Sequence, residues 1–599
     1  MVGGFAGRRL SVCLIVSLSL GASPAQQSLP DAPSDQSDQQ GTVIRSAVRL
    51  VQVSVVVEDK KGNPVTDLTA EDFKLLDGGS PQKIAFFSAA IPPPAATQPT
   101  STKPVQLLPA NAFTNRYDLK GQDPPGTVTV VLFDALNTSP QDQGFVRKEV
   151  IHFLQALKPQ DHVAVYGLTT QLLILHDFTR DSADLVAAAN KFSPKELAAY
   201  DATHTPDIDL ASLGADTTQW VRLQNSINNA KEMISEQVTK DRVAMTVEAM
   251  NEIANHVSSI PGRKNLVWIS GGLPIQTGSA KVGKPGYGGP GGIGVSTDNR
   301  FPQHDRALVK FDEMVRQVAD TLNRSNIAMY TIDAQGVELD TTMDVSGRGR
   351  RQSDQARDTS VLNNEQDARD SSKLLADRTG GLALFGNNDI RAAVRRAFDD
   401  GRYAYNIAFY PNHGEWDGKF RTLKIESKPG LKLRYRSGYY ATPDRTDAKG
   451  AIADALHQAA DSPLDATSLG MIVSGKATKD SPIVELHIGI DPKQLLLRSS
   501  GDHHKGAVDL FFLQRDASSK TVAAEEEHLD LNLEEKQYEY LSKVAMVLER
   551  HVTIAPQATE LRIVLRDAGS GSLGSVTLPP TAFLPKNETA PTLMTQPNK

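Results

Sequence analysis

Residues 130–139 read VVLFDALNTS, and this stretch decides the fold. Val130, Val131, Leu132 and Phe133 run without alternation into Asp134, and Asn137, Thr138 and Ser139 follow almost at once. An unbroken apolar run of this length reads as a strand covered on both faces, as in parallel sheets. Parallel α/β sheets place ligands outside the carboxyl ends of their strands, where Asp134 stands. A carboxylate, an amide and two hydroxyls form a set of hard oxygen donors of the kind Mg²⁺ or Ca²⁺ takes. The plainer reading is that Asp134 orders its own loop or caps the next helix through hydrogen bonds.

The surrounding sequence keeps the same rhythm. Gln141–Leu157 carries Phe145, Ile151 and Leu154 at helical spacing, DHVAVYGL follows as a strand, and LLILHDF as the next. Asp181 caps a helix to Phe192. A long helical region spans Thr217–Ser259 with an expected break near Lys240. RKNLVWISGG (Arg263–Gly272) is a buried strand ending in glycines, Asp305–Ser325 a helix, and NIAMYTIDA (Asn326–Ala334) a strand. Strands alternating with helices predict a doubly wound parallel sheet over residues 126–400. Two insertions interrupt it, a Gly-rich one at 278–294 and a charged one at 340–370 containing RGRR (Arg348–Arg351).

The flanks read as β. AVRLVQVSVVVED, the KKGNP turn, LTAEDFKLLDGG with Thr69 as a cap, and QKIAFFS predict a β-sandwich module over 42–90, followed by a linker at 91–125. Strands return over 401–442 and are expected to complete that first sandwich, with the α/β domain inserted into it. A linker at 443–468, a β-rich domain at 469–585 and a disordered tail at 586–599 close the chain.

The N-terminus has the features of an export signal over residues 1–25: Arg8-Arg9, the apolar run Leu10–Gly21, and small residues at Ser23-Pro24-Ala25. A polar tether at 26–41 follows. The single cysteine, Cys13, lies inside that apolar run, so the mature chain would have neither disulfides nor thiolate sites. A net charge of −7 over 599 residues, with no basic aromatic stripe, argues against nucleic-acid binding. No later apolar run approaches bilayer length, so no transmembrane helix is expected after signal cleavage.

Taken in order, VVVEDKKGNPVTDLTAEDFKLLDGG, VVLFDALNT, IPGRKNLVWISGGLP, LADRTGGLALFGNNDI and LRYRSGYYA resemble the von Willebrand factor A-related domain family typical of Acidobacteria. The resemblance covers roughly Arg45–Ala441. It implies a Rossmann-like A domain flanked by Ig-like β-sandwich modules, and a metal-ion-dependent adhesion site. In such sites an Asp-x-Ser-x-Ser loop, a threonine and a second aspartate surround Mg²⁺, and a partner protein's carboxylate completes the shell. Asp134 matches the first aspartate and Thr138 the second serine, with Thr246 a weaker match to the threonine. Asn137 and Ser139 could substitute in part as donors. Leu136 stands at the first serine and Gly271 at the second aspartate, so the motif is degenerate and Mg²⁺ (or Mn²⁺ or Ca²⁺) would be held weakly.

Other motifs carry less. Ser270 in WISGG suggests a hydrolase turn, but Trp268 occupies the place of the first glycine of Gly-x-Ser-x-Gly. Asp333 ends a strand on the same rim. His503-His504 reads as a solvated loop. RTGGLALFG lacks a Walker lysine and reads as a turn into a short edge strand. The sequence therefore reads as an exported, non-enzymatic protein that binds an unidentified protein partner or mediates adhesion at the cell envelope. An envelope hydrolase and a purely structural envelope component are the alternatives.

Overall fold

The computed structural model describes residues 50–88, 108, 111–119, 127–158, 161–192, 217–272, 315–334, 369–385, 389–413, 416–442, 449–478 and 481–583. The expected signal, tether, Gly-rich insertion and tail lie outside these residues, as does the charged insertion up to 368.

The chain is a mixed α/β protein with several sheets. In the central part, β1 (Val128–Asp134), β2 (His162–Leu168), β3 (Leu172–Thr179), β4 (Lys264–Ser270), β5 (Ile327–Asp333) and β6 (Leu382–Leu384) form one six-stranded sheet in the order β6-β5-β4-β1-β2-β3. Strand β1 pairs in parallel with both β2 and β4, and β5 pairs in parallel with β4 and β6. Every residue of β1, β4 and β5 is buried, which accounts for their unbroken apolar sequences.

Helices cover both faces. On one side lie α1 (Pro140–Gln155), α2 (Ser182–Lys191) and a later helix, Ile390–Arg402, packed on Val131, Phe133, Val165 and Ile269. On the other lie α3 (Thr217–Val257), α4 (residues 315–324) and α5 (residues 369–379), packed on Val130, Leu132, Leu266 and Trp268. Asp181 caps α2 by accepting from the Ala183 amide at 2.8 Å. The LALFG segment forms the sheet edge β6, and Gly381 lets it approach closely, since a Cβ there would overlap the Met329 carbonyl oxygen.

Two details differ from the sequence expectation. Strand β3 is antiparallel to β2, because only Thr169, Thr170 and Gln171 connect them; so short a link allows a hairpin and not a crossover. Helix α3 runs unbroken through Lys240, where neither Gly nor Pro interrupts it.

The strands before and after the α/β segment share sheets. Val51–Glu58 pairs with Ala404–Phe409 and with Lys432–Arg434, while Phe420–Glu426 pairs with Lys74–Asp77 and with Gly438–Tyr440. Val53 and Val55 stand beside Ile407 and Tyr405 in one sheet, and with Val57 and Phe409 they are buried in the core between these sheets. The outer face meets the α/β domain, where Ser54 donates to Asn326 at 3.0 Å.

The last β unit holds Met471–Ala477, Ile483–Ile490 and Met546–Thr553 in one sheet, and His503–Arg515, Glu560–Asp567 and Leu573–Leu578 in another. Both expected linkers contribute structure to it. Ala112–Thr114, in the first linker, is a strand paired with Met471–Ala477, and buried Asn115 bonds Ala466, Leu469 and Met471 there. Lys449–Asp461, in the second, is a helix that buries Leu456 and Ala460 against Phe511 and Val564. Composition concealed both, since a three-residue strand and an Ala-rich helix gain their stability from the partner surface. His503 and His504 lie at the start of a strand and not in a loop, with His504 Nε2 2.7 Å from Glu535.

Candidate functional site

The site is built at the carboxyl end of β1. The chain leaves β1 toward β2 on one side, and β4 lies on the other side, so the order reverses between β1 and β4. This is the topological switch point at which open α/β sheets bind ligands. Side chains alternate along a strand, and β1 and β4 are in register with Leu132 beside Trp268. Leu132 and Asp134 therefore share a face with Trp268 and Ser270, the face covered by α3.

Asp134 is only 2 % exposed. Its Oδ2 accepts from Trp268 Nε1 at 2.9 Å, from Ser270 Oγ at 2.8 Å and from Asn137 Nδ2 at 2.8 Å, and its Oδ1 accepts from the Asn137 amide at 2.9 Å. Burial pushes the Asp134 carboxyl above the usual carboxylate range, opposed by the hydrogen bonds from Asn137, Ser270 and Trp268.

The other proposed ligands lie at the same place, each with a protein partner. Asn137 Nδ2 also donates to Thr246 Oγ1 at 2.9 Å, and Asn137 Oδ1 accepts from Arg242 Nε at 3.2 Å. Thr246 donates to the Arg242 carbonyl one turn earlier on α3, at 2.8 Å. Thr138 Oγ1 accepts from the Gly271 amide at 3.1 Å, which ties the loop to the end of β4. Ser139 is the N-cap of α1: its Oγ accepts from the Asp142 amide at 3.2 Å and donates to Asp142 Oδ2 at 2.6 Å, and Pro140 opens the helix.

This donor set does not match a cation cage. Three N–H groups and the Ser270 hydroxyl donate to the Asp134 carboxylate, and an indole nitrogen is a donor only. Leu136 is 1 % exposed in the core on the α3 face, and a Cβ at Gly271 would stand 2.5 Å from the Asn137 carbonyl oxygen. The second aspartate of an adhesion site therefore has no room in this loop conformation.

Sequence reasoning brought together Asp134, Asn137, Thr138, Ser139 and Thr246, and overlooked Trp268 and Arg242 as partners. The signal for Trp268 was available, since it sits two residues before Ser270 on a strand adjacent to β1. Arg242 lies one turn before Thr246 on α3, so the resemblance that placed Thr246 at this loop also held a signal for it. Ser270 commits its hydroxyl proton to Asp134, and its oxygen accepts from the Gly272 amide at 3.0 Å. Asp333, in register with Ser270, lies 3.6 Å from Arg369 and lines a cavity with Trp268, Thr331 and Ser372. On the opposite face a larger cavity, about 170 Å³, opens beside the loop. Phe133, Val146, Phe192 and Ile269 make its apolar walls, and Thr138, Gln143 and Arg147 supply polar groups.

No family model matches the chain, and no curated protein matches it. Solved structures do. An aerotolerance-related membrane protein from Bacteroides fragilis, crystallised with multiple mutations to serine, is 11% identical and has a TM-score of 0.22, with 46% of this chain and 98% of that chain covered. A conserved hypothetical protein, BatB from Bacteroides thetaiotaomicron, covers the same shares at 11% identity and a TM-score of 0.20. A mutant of the PilB minor pilin from Streptococcus sanguinis is 12% identical, with 47% and 61% covered and a TM-score of 0.23. At these scores the likeness assigns neither fold nor function to this chain. Among the described residues, no helix is long and apolar enough to cross a membrane.

Proposed function

We propose that the chain is an exported interaction protein of the von Willebrand factor A type. Its Rossmann-like α/β domain, framed by Ig-like β modules, would recognise a protein partner at the carboxyl rim of the sheet. The observation that carries this reading is the Asp134 loop at the switch point, which Asn137, Thr246 and Ser270 hold from the α3 face and which presents Thr138 to a cavity of mixed polar and apolar lining on the other. Such a cavity, with a few convergent polar groups, suits an apolar partner side chain flanked by hydrogen-bonding groups. The same geometry supports recognition without a cation, since the Asp134 charge is already met by hydrogen-bond donors. Export, to the periplasm, the envelope or the medium, rests on the leader-like N-terminus and belongs to the same proposal.

A photoreactive amino acid placed at Gln143, on the rim, and at Glu539, on an exposed helix of the last domain, tests this in cells. A discrete adduct formed from Gln143 and not from Glu539, and lost with Thr138→Arg, is the expected result. Identical adduct patterns from both positions would overturn rim recognition. Calorimetric titration with Mg²⁺, Mn²⁺ and Ca²⁺ tests the metal half. Heat that disappears with Asp134→Ala would overturn the cation-free reading.

A further inference from the structure

The last domain carries a second cluster of ligand-type side chains, far in sequence from the Asp134 loop. Ile483–Ile490 buries Val484, Leu486, Ile488 and Ile490 in the core between the two sheets. Strand alternation then turns Glu485 and His487 outward together. The antiparallel partner Met546–Thr553 buries Met546, Leu548 and Val552, which turns Glu549 and His551 outward. The register sets His487 opposite Glu549 and Glu485 opposite His551. Two imidazoles and two carboxylates therefore occupy the four corners of one box on a regular, rigid sheet.

The donor atoms are close. One from each of Glu485, His487 and Glu549 lie within 4.8 Å of one another, and His487 Nε2 is 3.1 Å from Glu485 Oε1. Zinc takes imidazole nitrogen and carboxylate oxygen at about 2.0–2.2 Å, so neighbouring donors of a tetrahedral site stand roughly 3.4 Å apart. The Glu485–His487 pair already has that spacing, and a rotamer change of exposed Glu549 closes the third side. Lys476 faces Glu485 from the third strand and is exposed, so its ammonium can remain in water.

We infer that this outer sheet face is a binding site for a divalent transition-metal ion of the zinc class, held by Glu485, His487 and Glu549, with His551 beside the remaining position. Imidazole separates this chemistry from Mg²⁺ and Ca²⁺, which take oxygen shells, and favours Zn²⁺, Cu²⁺, Ni²⁺ and Co²⁺. Three protein ligands leave a position for water, for His551 or for a group from another molecule. The site is independent of the rim reading above, since it shares no residue with it.

The test is calorimetric titration of the full chain with ZnCl₂, and visible absorption with CoCl₂, for the native protein and for His487→Ala, Glu549→Gln and His551→Ala. These side chains are on the sheet's outer face, so circular dichroism should show an unchanged fold. One saturable Zn²⁺ site is expected. His487→Ala and Glu549→Gln should each weaken it by more than the roughly 10–100-fold that losing an outer-shell partner costs. His551→Ala should weaken it less. Absence of Zn²⁺ binding, or an affinity unchanged in both of the first two variants, would overturn the assignment. Equal competition by Mg²⁺ would overturn the imidazole-ligated chemistry.

Discussion

Replacing Asp134 by alanine removes the hub of the switch-point loop. The carboxylate accepts four hydrogen bonds at 2.8–2.9 Å while almost wholly buried. Hydrogen bonds to a charged group contribute about 1.5–3 kcal/mol each, so the gross interaction is roughly 6–12 kcal/mol. Desolvating the carboxylate offsets several kcal/mol of it, in line with the upward displacement of its titration. After truncation, Ser270 retains the Gly272 amide and Asn137 retains Thr246, but the Trp268 indole N–H keeps no partner. A net loss of about 2–4 kcal/mol in the α/β domain is expected, since the donors left behind are neutral and a buried donor without a partner costs about 1–3 kcal/mol. Urea unfolding followed by tryptophan emission reads this directly, because Trp268 itself touches the missing group. A loss under about 1 kcal/mol, the size of an ordinary substitution, would refute the account of Asp134 as the loop's organiser. Millimolar Mg²⁺ supplies the second arm. A cation at 100 times its Kd adds about 2.7 kcal/mol, and a gain of that size in the native protein, absent from the variant, would refute a cation-free loop.

Further outcomes follow from other parts of the structure. Gly271→Asp, which restores the second aspartate of an adhesion motif, should destabilise the domain by about 1–3 kcal/mol through overpacking and gain no Mg²⁺ binding in calorimetry, because its Cβ would meet the Asn137 carbonyl at 2.5 Å. Burial pushes Glu252 on α3 up to about 7 from an ordinary 4.5, against a hydrogen bond from Ser462. Its stabilisation is therefore complete below the ordinary value and lost as pH rises through about 7. Thermal melts should show native protein losing stability from pH 5 to pH 8 and Glu252→Gln losing less; equal slopes would contradict this. Asn115→Ala leaves the Ala466 and Leu469 carbonyls and the Met471 amide without their side-chain partner, and should cost the last domain roughly 2–4 kcal/mol in denaturant titration.

The sequence alone determined the elements whose information is local and strong. The apolar runs of β1, β4 and β5 mark strands buried on both faces, and Asp181 sits where a helix cap must sit, whereas the cap of α1 proved to be Ser139 and not Asp134. The position of Asp134 at a strand's carboxyl end marks the candidate site in the sequence itself. The tertiary structure decided everything that depends on a distant surface. Thr169–Gln171 became a hairpin, and Ala112–Thr114 became a strand because Met471–Ala477 offered an edge. Trp268 and Arg242 reach the Asp134 loop from β4 and α3, and fill it with N–H donors where the motif alone suggested oxygen ligands around an ion. A short motif specifies which groups are near one another in the chain. Which charges they meet is fixed by packing, because a buried carboxylate takes the donors that the folded neighbours present.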